Sequence, residues 1–348
     1  VRVVPDAALL YGSEKGERML RRALVSYLGR TRAISAGERE MLVTCGSSHA
    51  FALLWSALRG MGVRRVGFED PGWHRISRTI AQAGLEPEAV RVDGHGLSVA
   101  DLYGADVQAV VVSPAHQYPT GVIMHPARRA ELVGWARRTG GLIIEDDYDA
   151  EFRFGSGPIA PLRAAAPDCV VYTGTTSKIL APALRLGWLL APARLADVIA
   201  SEHAVSYAQP AVTNQRAFAA LLETGEIDRH LRKARNVYRR RRSVLLTAIK
   251  HSVPWLRLGG GAAGLHMIAW LPPDACEERV ITEAAEAGIA LDGLRTRCTV
   301  TTNHPPALVL GYGAIAETAI PEAIARLAPI LQHFGPTVDR YDTTPAAA

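Results

Sequence analysis

The chain has 348 residues, 48% of them hydrophobic and 21% charged, and a formal net charge of +5. That length exceeds the usual ceiling for one hydrophobic core, so two subdomains are expected, and the composition excludes a disordered or fibrous chain. No apolar run approaches the roughly 20 residues needed to span a bilayer and no signal peptide opens the sequence, so a cytoplasmic protein without a membrane partner is expected.

In chain order, residues 1–37 are largely helical over 15–28 and too few to form a core, so they are expected to pack on the C-terminal unit. From about residue 40 to 195, β-branched runs alternate with helical stretches. Strands are predicted at 41–44, 66–69, 109–113, 142–146, 170–174 and 187–190, with amphipathic helices at 50–61 and 127–139. The alternation predicts a parallel sheet wrapped by helices, and the near-continuous apolar runs suit strands buried on both faces. A long basic amphipathic helix follows over 227–249. Beyond it come a strand at 265–270, a helix at 277–287, strands at 289–294 and 307–311 and a helix at 321–334, a compact α+β unit. The domains are therefore drawn as 38–245 and 246–335, with 1–37 packed on the smaller one. The polar, Pro/Ala-rich tail 336–348 reads as mobile. Because the first residue is Val rather than Met, an upstream segment is expected.

The densest charge is the run from Arg232 to Arg242. It reads either as a nucleic-acid patch or as a solvated helix face, and Leu231, Ala234, Val237 and Leu245 at helical spacing favour the second. Cys45, Cys169, Cys276 and Cys298 are scattered, with no C-x-x-C pair and no His at zinc spacing, so no metal site is expected.

Five segments carry chemistry. In TGTTSKILAPALRLG (173–187), Lys178 follows a hydroxyl cluster at the end of a predicted buried strand. A buried Lys loses its charge through desolvation, which frees the amine to attack a carbonyl. Thr175, Ser177 and Arg185 suit a phosphate dianion. A strand-end Lys that snorkels to water is the plainer alternative. In IIEDDYD (143–149) an apolar strand ends in acids at the carboxyl edge of the sheet, where open α/β folds bind ligands. Such an acid pairs with a protonated pyridine nitrogen, caps a helix, or binds magnesium. VTCGSSHA (43–50) leads into a helix, so Gly46, Ser47 and Ser48 make either an anion site of backbone N–H groups or a simple N-cap. In EDPGWHR (69–75), Trp73 stacks on a flat ring and Arg75 meets a carboxylate, or they are a core Trp and a surface Arg. In SPAHQYPTG (113–121), Pro and Gly fix a turn at another strand end.

Taken together with Tyr11-Gly12, Lys15-Gly16, EDDYDAEF (145–152) and RHLRKARNVYRRRR (229–242), these segments resemble fold-type I pyridoxal-phosphate enzymes. The resemblance is most specific to the aminotransferase-like domain of MocR/GntR-type regulators and spans roughly residues 11 to 313. It implies an aspartate-aminotransferase-like α/β fold, with a mostly parallel seven-stranded sheet in the large domain and a small α+β domain. It also implies pyridoxal 5′-phosphate held as an aldimine on Lys178, with Asp146 at the pyridine nitrogen, Tyr148 near the phenolic oxygen and Trp73 stacked on the ring. Gly46, Ser47, Ser48, Thr175, Ser177 and Arg185 resemble the phosphate cup. Tyr11 falls where such folds lend a tyrosine to the neighbouring subunit, which implies a homodimer. Arg75 matches an arginine that holds a ligand carboxylate.

Three departures matter. Tyr118 stands where many aminotransferases carry Asn, so which of His116, Gln117 or Tyr118 meets the cofactor is open. The late strand LVLGYG (308–313) lacks the usual carboxylate-clamping Arg, leaving Arg295 or Arg297 as substitutes. The regulators' winged helix-turn-helix does not occur in this sequence, so DNA would be met only through an upstream domain. Two functions share this site: an effector-sensing domain that exchanges Lys178 for an amino acid or amine, and a working aminotransferase in which Lys178 is the general base.

Overall fold

Continuous β-branched runs build the centre of the molecule. The structure is a computed structural model and describes residues 12–155, 157, 159–206, 208–300 and 304–335. Eight strands form the large sheet: β1 (Met41–Thr44), β2 (Arg65–Asp70), β3 (Glu86–Asp93), β4 (Gly96–Leu97), β5 (Ala109–Val112), β6 (Leu142–Asp146), β7 (Val170–Thr175) and β8 (Gly187–Leu190). Their order is β1-β8-β7-β6-β5-β2-β3-β4. β7, β6, β5, β2 and β3 run parallel, whereas β8 is antiparallel to both β1 and β7. The seven strands expected are present, and the two-residue β4 is an eighth at the edge. β1, β5, β7 and β8 are buried at every position, as strands covered by helices on both faces must be.

The helices are α1 (Arg18–Arg32), α2 (Ser47–Gly60), α3 (Arg75–Gln82), α4 (Val99–Gly104), α5 (Pro126–Thr139), α6 (Leu162–Ala165), α7 (Thr176–Ile179), α8 (Ala193–Val205), α9 (Val212–Glu223), α10 (Glu226–Ser252), α11 (Glu277–Glu286) and α12 (Ile320–His333). α5 shows the local logic. Pro126 occupies its first turn, His125 accepts from Ala127 N–H, and Gly140 closes it in the left-handed region. No helix among the described residues is long and apolar enough to cross a membrane.

A second sheet, ordered β11-β12-β10-β9, is fully antiparallel: β9 (Arg257–Gly259), β10 (His266–Trp270), β11 (Asp292–Gly293) and β12 (Ala307–Gly311). Its apolar face packs on α11, α12 and the C-terminal half of α10. Of the arginines of α10, Arg232, Arg239 and Arg240 are exposed, as on a solvated helix face, whereas Arg235 and Arg241 are half-buried and donate to the carbonyls of Glu151 and Gly313.

One expectation fails. α1 does not pack on this C-terminal unit. Leu20, Leu24 and Leu28 lie with Met41 and Val43 of β1, Phe218 and Leu222 of α9, and Ile227 and Leu231 of α10. An amphipathic stripe specifies that a helix is buried on one face and leaves its partner open. The tail 336–348 lies outside the described residues.

Candidate active site

The parallel strands all present their carboxyl ends at one edge of the large sheet, and the chemistry-bearing segments follow them there. A cavity of about 560 Å³ opens at this edge. Ser47, Trp73, Arg75, Tyr118, Asp146, Tyr148, Thr175, Ser177, Lys178 and Arg297 line it, all of them singled out in the sequence.

Lys178 sits on the single turn α7, which starts where Thr175 accepts from Ser177 N–H at 3.2 Å. The side chain is exposed to the cavity, so the enclosure expected from the sequence is not what holds it. Asp146, the last residue of β6, accepts from Thr173 Oγ1 at 3.2 Å. Burial pushes its carboxyl up to about 7; Asp147 and Asp149 add to the rise, while the Thr173 hydrogen bond and Lys178 oppose it. Tyr148 Oη donates to the His116 carbonyl at 2.9 Å. Burial, with Asp149 and Asp146 nearby, holds that phenol well above its ordinary value.

The helix α2 begins beside this group. Gly46 adopts φ +89° and precedes the first turn without any side-chain cap, so the first N–H groups of α2 have no capping partner. Gly187 lets β8 approach that turn, because a Cβ there would lie 2.8 Å from Gly46. Thr175 and Ser177 hydroxyls stand 3.0 Å apart. Arg185, itself at φ +49°, acts electrostatically on Cys45 and His49 at the same helix end. Gly46, Ser48 and Arg185 flank the cavity without lining it.

The turn 113–121 divides its three candidates. Tyr118 faces the cavity. His116 is buried behind it, 2.9 Å from Asp149 Oδ2. Gln117 is also buried, donating to the Pro71 carbonyl at 2.8 Å and accepting from Thr120 Oγ1 at 2.6 Å. Those bonds tie two site turns together.

The two arginines expected as substitutes for the late-strand Arg also part. Arg297 lines the cavity, 2.8 Å from Asp292 and over the Tyr118 ring at 5.7 Å. Its loop is pinned from the large sheet: Gly72 N–H donates to the Arg297 carbonyl, and Asp70 accepts from Thr299 and Val300 N–H. Arg295 is exposed outside the cavity, 4.0 Å from Glu278. Val309 and Gly311 of β12 stand at the cavity where a clamping arginine would be sought. Arg75 is exposed within it. Tyr11 lies outside the described residues.

Sequence reasoning missed Glu69, His74, Asp149, His266 and Asp292, which also line the cavity. Glu69 is fully enclosed; burial pushes its carboxyl up to about 8, and Oε1 has no partner. His116, Asp149 and His266 bring donor atoms within 4.8 Å of one another, a grouping no sequence spacing announces.

The family model described as aminotransferase class I and II matches residues 6–303. Among curated proteins, the uncharacterized HTH-type transcriptional regulator YhdI of Bacillus subtilis is 31% identical over 329 residues, 93% of this chain and 70% of that protein. The HTH-type pyridoxine biosynthesis transcriptional regulator PdxR of Corynebacterium glutamicum is 31% identical over 318 residues, 91% of this chain and 68% of that protein. Among solved structures, an archaeal alanine:glyoxylate aminotransferase superposes with a TM-score of 0.87 at 23% identity, covering 94% of this chain and 84% of that one. That likeness is one of fold, the aspartate-aminotransferase-like α/β fold. The cavity fits the cofactor such a fold implies: uncapped N–H groups, two hydroxyls and Arg185 suit a phosphate dianion, and an enclosed carboxyl and an amine face the same space. The chain belongs to the class I and II aminotransferase family, and its cofactor is pyridoxal 5′-phosphate.

Proposed function

We propose that this chain is the effector-sensing part of a MocR/GntR-type transcriptional regulator, carrying pyridoxal phosphate on Lys178 and exchanging that attachment for an amino acid or amine. The observation that carries the chemistry is the meeting of Lys178, Asp146 and Trp73 in one cavity beside the uncapped start of α2. The regulator reading is supported by two relatives named as HTH-type regulators, matched over most of this chain and about two thirds of their own length. In this reading DNA is met through a domain upstream, the protein is a cytoplasmic homodimer, the large unit 38–245 binds the cofactor, and the small unit 246–335 closes one side.

Bound pyridoxal phosphate supplies an aldehyde that captures amines and a ring that withdraws electrons. Lys178 Nζ would be the amine that holds it and, when free, a base for the ligand. Asp146 would keep a proton on the ring nitrogen. Tyr148, whose hydroxyl donates to the His116 carbonyl, would serve the phenolic oxygen, and Trp73 would cover the ring and exclude water. Gly46, Ser47, Ser48, Thr175, Ser177 and Arg185 hold the phosphate, and Arg75 the ligand carboxylate.

The second reading is a free-standing aminotransferase, favoured by the presence of Lys178 and Asp146 in one cavity. Incubation of the cofactor-loaded protein with single amino acids separates the two. A reversible spectral change without 2-oxo acid marks a sensor, and stoichiometric oxo acid marks an aminotransferase. No spectral response to any amine would overturn both.

A further inference from the structure

We propose that His116 and Asp149 are positioning residues, which hold the Tyr148 hydroxyl where it reaches the cofactor's phenolic oxygen. The inference rests on the placement of Tyr148 proposed above and assigns a role to the histidine and carboxylate packed behind it.

Three residues close a ring of contacts. His116 Nδ1 and Asp149 Oδ2 lie 2.9 Å apart, and the two side chains are only 1% and 2% exposed. An ionised carboxylate only accepts, so Nδ1 carries the hydrogen of this bond. Tyr148 Oη donates to the main-chain carbonyl of the same histidine at 2.9 Å and stands 3.3 Å from its Nδ1. Tyr148 and Asp149 are chain neighbours, so consecutive residues grip the histidine, one chiefly by its backbone and one by its ring. The phenol is thereby held to a histidine whose own orientation is locked by Asp149.

The loop that leads into β10 seals this group. Gly264, at φ +72°, lays bare backbone over it: an added Cβ would collide with His116 Cε1 and lie 2.7 Å from Asp149 Oδ2. Gly121 closes another edge, where a Cβ would lie 3.3 Å from His116 Nε2. Nε2 itself has no partner, so the bond to Asp149 is what fixes the ring. Away from water that bond is stronger and an unpaired carboxylate costlier, which keeps the pair closed. Tyr148 stays a hydroxyl donor, because burial, then Asp149, Asp146, Glu69 and Tyr118, hold its phenol well above the ordinary pKa. His266 is the other titratable group against the imidazole, at 4.7 Å between ring centres.

The test is the pH midpoint of the visible absorption of the cofactor-loaded protein, read in a double-mutant cycle. A donor on the phenolic oxygen favours the form of lysine-bound cofactor that has lost its proton. Tyr148→Phe should therefore raise the midpoint by about one pH unit, a tenfold change in that equilibrium and the worth of one net hydrogen bond. His116→Phe should raise it by about half as much or more, and should add nothing in the Tyr148→Phe background. A field effect of the pair, or a general loosening of the site, would persist in that background. His116→Asn, whose amide N–H can stand in for Nδ1–H, should return the midpoint to within about 0.3 of the wild type. If Tyr148→Phe shifts the midpoint, then equal shifts by His116→Phe in both backgrounds, or none in either, would overturn the inference and leave the Tyr148 placement standing. An unmoved midpoint in Tyr148→Phe would overturn that placement and the inference with it. Should His116→Phe not fold, the wild type still decides: nitrogen-15 spectra must show a slowly exchanging Nδ1 proton on His116, and its absence overturns the inference.

Discussion

Arg32, the last residue of α1, closes an ion pair with Asp147, the chain neighbour of Asp146, with both side chains almost wholly buried. Tyr172 Oη donates to the same carboxylate at 2.6 Å. Side chains alternate along a strand, so Asp146 turns to the cavity while Glu145 and Asp147 turn away from it. Glu145 accepts from the N–H groups of Leu162 and Arg163 at the start of α6, and Asp147 is held by α1. The acidic strand end is thereby gripped from behind by the N-terminal helix.

Removing Arg32 strands a buried carboxylate. Arg32→Ala should lose about 3–5 kcal/mol of stability, the usual cost of breaking a buried pair from one side. Urea denaturation of the two proteins measures it, and a loss under about 1 kcal/mol would mean that the pair contributes little.

Lys178→Ala should abolish the visible absorption of lysine-bound cofactor while the fold persists, since the side chain is exposed in the cavity. Asp146→Asn should keep the band and weaken cofactor affinity by roughly 10- to 150-fold, the worth of one charge-assisted hydrogen bond. An unchanged affinity would remove Asp146 from the ring nitrogen.

Stability without cofactor should depend on pH in a definite sense. Burial raises the carboxyls of Glu69 to about 8 and of Asp146 and Glu145 to about 7. The folded state therefore binds these protons more tightly than the unfolded chain. Their contribution is complete below about 4, where the unfolded carboxyls are protonated too, and is lost progressively as pH rises from there to about 7 to 8. The melting temperature should fall across that window, and Glu69→Gln should flatten the upper part of the fall. A melting temperature that rises there would contradict the enclosure of these groups.

Arg297 and Arg295 should differ. Arg295→Ala leaves ligand affinity within about twofold, as exposed charges outside a site do. Arg297→Ala frees Asp292 beside the cavity and should weaken acidic amino ligands about tenfold through the added negative charge. The reverse ranking, read from binding titrations, would put the wrong arginine at the site.

The site strands were legible because a strand buried on both faces is an unbroken apolar run, as in AVVV of β5 and LII of β6. β3 was not. It lies near the sheet edge, and its sequence EPEAVRVD keeps charges and a proline because several of its positions reach solvent. β11 is only two residues long where a six-residue run was expected, since the loop carrying Arg297 bends instead to Asp70 and Gly72. The N-terminal helix was legible as a helix, with its partner misread.

The sequence by itself determined which residue types stand at the carboxyl ends of the strands: Lys178, Asp146, Trp73 and the Gly46 turn follow from short-range periodicity and turn chemistry. Tertiary structure decided what else shares their cavity. Glu69, Asp149 and His266 arrive from different strands and a second sheet, and Arg297 is admitted where Arg295 is excluded. Periodicity decides the face on which a side chain lies. Only the packing of one sheet against the other decides what that face meets.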